Sequence, residues 1–269
     1  MALKDITLGQ YFPGHSFVHK LDPRTKLLAV VLYIIALFLC KFVVTYALMF
    51  VVLAVSIALS QVPLKSLLHG LKPVVFIVVF TAILNLFYTP GIHILAKFWI
   101  FTITLEGVFS AIFMVIRILM LIAGTFLLTY TTSPILLTDA LENLLGPLKK
   151  IKVPVHELAM MMSIALRFIP TLIEETDKIM SAQRARGADF ESGGLIQRAR
   201  ALIPLLVPLF ISAFRRADEL AVAMECRCYH GGEGRTRLRQ LHYQGRDWFV
   251  LGLFVAIAVL VGVLGRMGL

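Results

Sequence analysis

Two arginines carry the chemistry that can be read first: Arg186 in Ala185-Arg186-Gly187 and Arg227 in Cys226-Arg227-Cys228. Each closes a helical pattern. A shift of 41 residues lays Asp177 on Asp218, Ala182 on Ala223 and Arg186 on Arg227. An arginine in the last turn of a helix gains about 0.3–1 kcal/mol from the macrodipole, and Gly187 suits the position after the cap. That account covers one such end. It does not explain two copies sharing a small residue four positions earlier and an aspartate nine earlier. In the second account each guanidinium projects from a helix end into an acidic groove of another protein, where its fixed fork of donors pairs with a carboxylate.

Other reactive groups are sparse. Arg117 sits in an apolar run, where a charge is costly unless it faces protein. Its readings are a structural partner within a helix bundle, a contact with a partner subunit, or a place on a transport path. Arg167, Asp177 and Asp218 are also candidates for structural or partner contact. Cys226, Cys228 and His230 make a weak zinc set, because Cys-x-Cys has no second pair and Arg227 between the thiols repels a cation. No metal site is expected. His15, His19, His69, His93, His156 and His242 are scattered singly, and no nucleophile is paired with a base, so no catalytic residue is assigned. The stretch Gly231-Gly232-Glu233-Gly234-Arg235-Thr236 lacks the spacing and the lysine of a phosphate-binding loop. No cofactor is expected on the chain itself.

The elements that must position these residues are mostly apolar. A mean hydropathy of +0.86 places the chain among integral membrane proteins. The run 27–60 is too long for one span of a hydrocarbon core of about 30 Å, so it divides at Lys41 into spans 24–40 and 43–60. Lys65, His69 and Lys72 populate a following loop. Further spans are 73–88, 105–130 and 247–265, with 92–104 of mixed character and Lys97 and Trp99 suiting an interface. With the N-terminus inside, 22 of the 26 Lys and Arg lie on the cytoplasmic side. Lys41, Lys97 and Arg266 then lie outside, and Arg117 lies within the bilayer. The positive-inside rule selects this orientation. The N-terminus shows no cleavable signal, and cysteines without a disulfide framework fit a reducing, cytosol-facing segment.

The domains expected are 1–130, with about four spans, a cytoplasmic segment 131–246, and a last span in 247–269. In 155–183 apolar residues recur at helical spacing with Glu174, Glu175 and Asp177 between them, and Pro170 should bend the helix. The run 201–214, broken by Pro204 and Pro208, is too short to span. It reads as a helix buried against protein or lying at the membrane face. Gly193-Gly194 and Gly231-Gly232 punctuate the ends.

Several motifs then bear a family likeness. Leu21-Asp22-Pro23-Arg24-Thr25-Lys26 before the first span resembles the transmembrane T-components of energy-coupling factor (ECF) transporters, which are ABC-type vitamin importers. So do Ala165-Leu166-Arg167-Phe168-Ile169-Pro170-Thr171-Leu172 followed by Glu175, and Ala182-Gln183-Arg184-Ala185-Arg186-Gly187. The likeness extends through Pro208-Leu209-Phe210 and Ala223-Met224-Glu225 to essentially the whole chain. It implies an all-α, non-catalytic membrane subunit in a bacterial or archaeal cell membrane. Such a subunit links two cytosolic ABC-type ATPases, which hydrolyse ATP, to a small membrane S-component that binds the vitamin or micronutrient. It also implies that Arg186 and Arg227, with Ala185, Gly187, Cys226 and Cys228 beside them, dock into the two ATPases. The second motif departs from Ala-Arg-Gly in both flanks.

Met160-Met161-Met162 reads either as an adaptable partner surface or as core filling. The competing function is a stand-alone transporter or membrane enzyme. The first would show paired inverted repeats meeting at the midplane, and the second would need convergent acid–base or metal groups. The visible repeat lies instead in the cytoplasmic segment. Nucleic acid is not an expected partner.

Overall fold

Helix formation begins where Pro23 supplies a pre-set φ and the Asp22 carboxylate accepts the Arg24 N–H at 2.8 Å. The computed structural model describes residues 11–89, 93–98, 101–190, 194–231 and 240–267. Its helices are α1 (Pro23–Leu39), α2 (Val43–Ser60), α3 (Leu64–Leu71), α4 (Val75–Tyr88), α5 (Leu105–Thr131), α6 (Pro134–Leu144), α7 (Val155–Ala185), α8 (Leu195–Ala201), α9 (Ile203–Cys226) and α10 (Gly245–Met267). The fold is all-α apart from a short antiparallel hairpin, β1 (Ile94–Phe98) and β2 (Phe101–Thr104), which occupies the segment of mixed character. Gly193, Gly232 and Trp99 lie outside the described residues.

The chain divides into two compact units. One holds Gly9–Ala140 and Leu241–Leu269; the other holds Leu141–Gln240. Among the described residues, five helices are long and apolar enough to cross a membrane: Val43–Ser60, Leu64–Phe87, Leu105–Thr131, Val155–Ala185 and Gly245–Met267. Four of them correspond to spans of the sequence reading. The expected span 24–40 is α1, 17 residues and about 26 Å long, at the short end of the range that crosses a hydrocarbon core. The helix α7, which the sequence reading places in a segment that does not span, also qualifies by length and composition, because the apolar first half of the helix outweighs its charges.

Two local expectations are corrected. Lys65 and His69 lie on α3 rather than in a loop, and Lys72 opens a 3-10 turn leading into α4. The helix forms because Leu67 is buried with Val62, Leu127 and Tyr130, and the Tyr130 hydroxyl donates to the Ser66 carbonyl at 3.2 Å. The apolar run 201–214 begins at the end of α8 and from Ile203 onward belongs to the longer helix α9. Its Ile203, Val207, Phe210, Ile211 and Phe214 are exposed, so the described part of this chain does not bury it. Both α7 and α9 continue through their internal prolines, Pro170 and Pro208.

In the first unit α1 is the central helix, packed along α10 and against α5. Tyr33, Leu37, Tyr46, Met49, Met120 and Val261 form its core. A Cβ on Gly124 would come within 2.7 Å of the Tyr33 ring, so this glycine sets how closely α5 approaches α1. Outward-facing Phe50, Phe76, Phe80 and Phe249 leave the unit apolar on its outside, as bilayer solvent requires. Arg117 is not isolated. Its Nη2 donates to the Cys40 carbonyl at the end of α1, at 3.0 Å, and the guanidinium lies 5.7 Å from the Tyr46 ring centre and 5.9 Å from that of Phe38.

Polar groups gather where α1 and α10 start and α5 ends. The Lys26 ammonium donates to the Thr131 carbonyl at 2.9 Å and to the His19 carbonyl at 3.2 Å. Asp247 Oδ1 accepts the Asp22 N–H at 2.9 Å, and its Oδ2 accepts the Gln244 N–H at 2.8 Å. The Arg24 guanidinium pairs with Asp22 at 3.0 Å and lies 4.0 Å over the Tyr243 ring. The His19 ring, whose pKa burial lowers, donates from Nε2 to the Phe12 carbonyl at 2.9 Å, and its Nδ1 lies 2.7 Å from the Ser16 hydroxyl. Replacing Asp247 by Ala leaves two N–H groups without an acceptor, one of them buried. We expect a loss of about 2–3 kcal/mol, read as a lower thermal midpoint of the detergent-solubilised chain. An unchanged midpoint would show that water replaces the carboxylate.

Candidate docking site

Both arginine-bearing helix ends lie in the second unit, and they are built alike. Arg186 is the C-cap of α7 and Arg227 that of α9. After Arg186, the Gly187 N–H donates to the Arg184 carbonyl at 2.9 Å and the Ala188 N–H to the Gln183 carbonyl at 3.0 Å. After Arg227, the Cys228 N–H donates to the Glu225 carbonyl at 2.8 Å and the Tyr229 N–H to the Met224 carbonyl at 3.0 Å. This is one Schellman cap made twice, every donor and acceptor displaced by the same sequence shift. Gly187 has φ +88° and Cys228 φ +57°, so the structure uses the same left-handed residue where the sequence motifs differ. Ala185, Arg186, Gly187, Cys226, Arg227 and Cys228 are all exposed.

The helices pack antiparallel. Near the end of α7, Gln183 Nε2 donates to the Pro204 carbonyl at 3.3 Å, close to the start of α9. In the middle, Arg216 Nη2 donates to Glu175 Oε2 at 2.9 Å, and the Ser212 hydroxyl donates to Glu175 Oε1. Toward the start of α7, Met160, Ser163, Ile164 and Arg167 face Leu220, Met224 and Arg227. The two arginine tips therefore stand at opposite ends of the pair, separated by roughly 30 Å of helix at 1.5 Å per residue. Glu175 and Arg216 are 41 residues apart, the shift that relates the two tips. They are thus each other's counterparts, and their ion pair marks the local two-fold axis of the repeat.

The remaining sequence candidates fall around this frame. Half-buried Asp177 and exposed Asp218 follow the axial pair by two residues on their respective helices, and no ion pair joins either to another described residue. Arg167 is exposed and lies beside Arg227, whereas Arg117 belongs to the first unit and does not join them. Sequence reasoning missed the Ser212–Glu175–Arg216 contact, although the repeat shift laid Glu175 on Arg216. Glu142 Oε1 and His156 Nδ1 form a separate hydrogen bond at 2.9 Å.

The cap geometry gives a direct test. Cys228 carries a Cβ in left-handed backbone, a strain that glycine does not suffer. Cys228→Gly should stabilise the end of α9 by about 1 kcal/mol, seen as slower amide exchange at Tyr229. Faster exchange would mean that the thiol makes a compensating contact.

Comparison with known proteins agrees with this architecture. The family model described as cobalt transport protein, CbiQ, matches residues 14–238. The energy-coupling factor transporter transmembrane protein EcfT of Ruminiclostridium cellulolyticum is 56% identical over 253 residues, covering 94% of each chain. The protein of that name from Clostridium kluyveri is 54% identical over 266 residues, covering 98% of each chain. That of Bacillus subtilis is 51% identical over 259 residues, covering 96% of this chain and 98% of its own. The chain therefore belongs to the CbiQ/EcfT family, the transmembrane T-components of energy-coupling factor transporters.

Proposed function

We propose that the chain couples two ABC-type ATPase subunits to a substrate-binding S-component for uptake of vitamins or other micronutrients, and that it is itself non-catalytic. The observation that carries this reading is the pair of identically capped helix ends, each exposing an arginine at opposite ends of one antiparallel pair. A macrodipole role needs no second copy and no matching geometry. Two similarly built cationic tips suit two related motor subunits. Motion of the motors reaches α7 and α9 through their tips, and the exposed Met161, Met162, Phe210 and Phe214 provide apolar surface toward a membrane partner. ATP binds to and is hydrolysed by the partners, for this sequence carries no phosphate-binding loop.

The experiment is charge reversal at the tips. If each arginine only caps its helix, Arg186→Glu or Arg227→Glu costs a fraction of a kcal/mol and leaves transport near normal. If each sits in an acidic groove of a motor, reversal costs about 2–5 kcal/mol of docking energy. Each single variant then loses co-purified ATPase or uncouples hydrolysis from uptake, and the double variant loses both while still inserting in the membrane. The pure chain should show no ATP turnover. Full uptake with both arginines reversed would refute the reading.

The proposed orientation, N-terminus inside and C-terminus outside, rests on the asymmetry of Lys and Arg. In a chain with its native cysteines replaced, an impermeant thiol reagent added outside should label a cysteine after Arg266 and miss one at 188–194. The reverse labelling would overturn the orientation and, with it, the cytoplasmic placement of the two tips.

A further inference from the structure

The two tips are alike in their caps but not in their surroundings. At the Arg186 end, Gln183 bonds to the carbonyl of Pro204 and closes α7 onto α9. The repeat counterparts of Gln183 and Pro204 are Met224 and Ser163, and no such bond joins them. There the helices and the residues 228–231 that follow α9 line an open cleft of about 600 Å³ instead. Ile164, Leu220 and Met224 form its apolar wall, and Arg167 and Arg227 supply its charge. Among the described residues no Asp or Glu lines the cleft, and neither arginine has an ion pair. The counterpart of Arg167 is Pro208, so the second cation belongs to one end only.

We propose that this cleft receives an acidic side chain of the ATPase subunit that docks at the Arg227 end, held between Arg167 and Arg227, and that the Arg186 end has no such seat. The proposal rests on the coupling reading above and deepens it: the motors meet two non-interchangeable sites. Two guanidinium groups with no carboxylate of their own are complementary to an anion, and the apolar wall lowers the local dielectric in which they would meet it. The volume exceeds what a single arginine tip needs and admits an Asp or Glu together with an apolar neighbour. Arg167 thereby becomes a specificity residue, although it lies some twenty residues before the tip of its own helix.

The test uses the assembled complex, purified through a tagged full-length chain. A photo-reactive benzoylphenylalanine replacing Ser163 should cross-link to an ATPase subunit, within a peptide that contains Asp or Glu. Arg167→Glu should lower the co-purified ATPase about tenfold, as a lost charge-assisted contact of this type does; Arg167→Lys, which keeps the charge but not the fork, should give a smaller loss. Both variants are checked for membrane insertion and an unchanged thermal midpoint, and the Ser163 cross-link does not depend on them. Cross-linking to residues 232–239 of the same chain would overturn the proposal by showing that the chain fills its own cleft. So would cross-linking to lipid or to nothing, or full ATPase recovery with Arg167→Glu while Arg227→Glu still loses it. If Arg186→Glu, Arg227→Glu and Arg167→Glu all recover ATPase fully, the docking reading itself has failed.

Discussion

A lysine ammonium and two aspartates close the end of the first unit at which two helices start and a third stops. Helix termini leave backbone donors and acceptors without partners, and in an apolar surround each one costs free energy. Lys26 supplies donors to the terminal carbonyl of α5 and to the His19 carbonyl, while Asp247 accepts N–H groups from the segments leading into α1 and α10. Asp22 caps its own helix and holds Arg24. The remainder of the bundle depends on this arrangement, for it ties the starts of α1 and α10 to the end of α5. The close approach at Gly124 and the Arg117 bond to Cys40 then set the spacing and the far end.

The second unit relies on a different device. Among its described residues there is little buried core: only Val155, Ala159 and Leu205 are buried on α7 and α9, and large apolar side chains remain exposed along both helices. Hydrophobic burial within the chain is therefore too small to set the helix pair by itself. Polar contacts give the register, with the Glu175 carboxylate bridging Ser212 and Arg216 at the middle and Gln183 reaching Pro204 at one end. Exposed Phe210 and Phe214 remain available to a partner.

Much of this was legible in the residues. The hydropathy of the long runs announced a helical membrane protein, and the recurrence of Asp177, Ala182 and Arg186 at Asp218, Ala223 and Arg227 pointed to two related helix ends. The sequence could not show that the ends point apart, because a direct repeat is compatible with parallel or antiparallel packing. Nor could it show that Cys228 adopts the conformation of Gly187, since cysteine rarely does so. Lys65 and His69 were misread as loop residues because amphipathic α3 is anchored by one leucine, Leu67, whose partners Leu127 and Tyr130 are distant in sequence. Asp247 was passed over because a lone acid before an apolar run is an ordinary sight, and its value lies in a backbone N–H more than two hundred residues away.

The contact between Glu175 and Arg216 has an evolutionary consequence. A residue on a two-fold axis faces its own counterpart, so an exact duplication of one helix would have set glutamate against glutamate or arginine against arginine. Such a pair repels. Opposite signs at the two positions let the helices cross there instead. The repeat is thus least exact on its own axis, while its two tips, where no counterpart is met, stay alike.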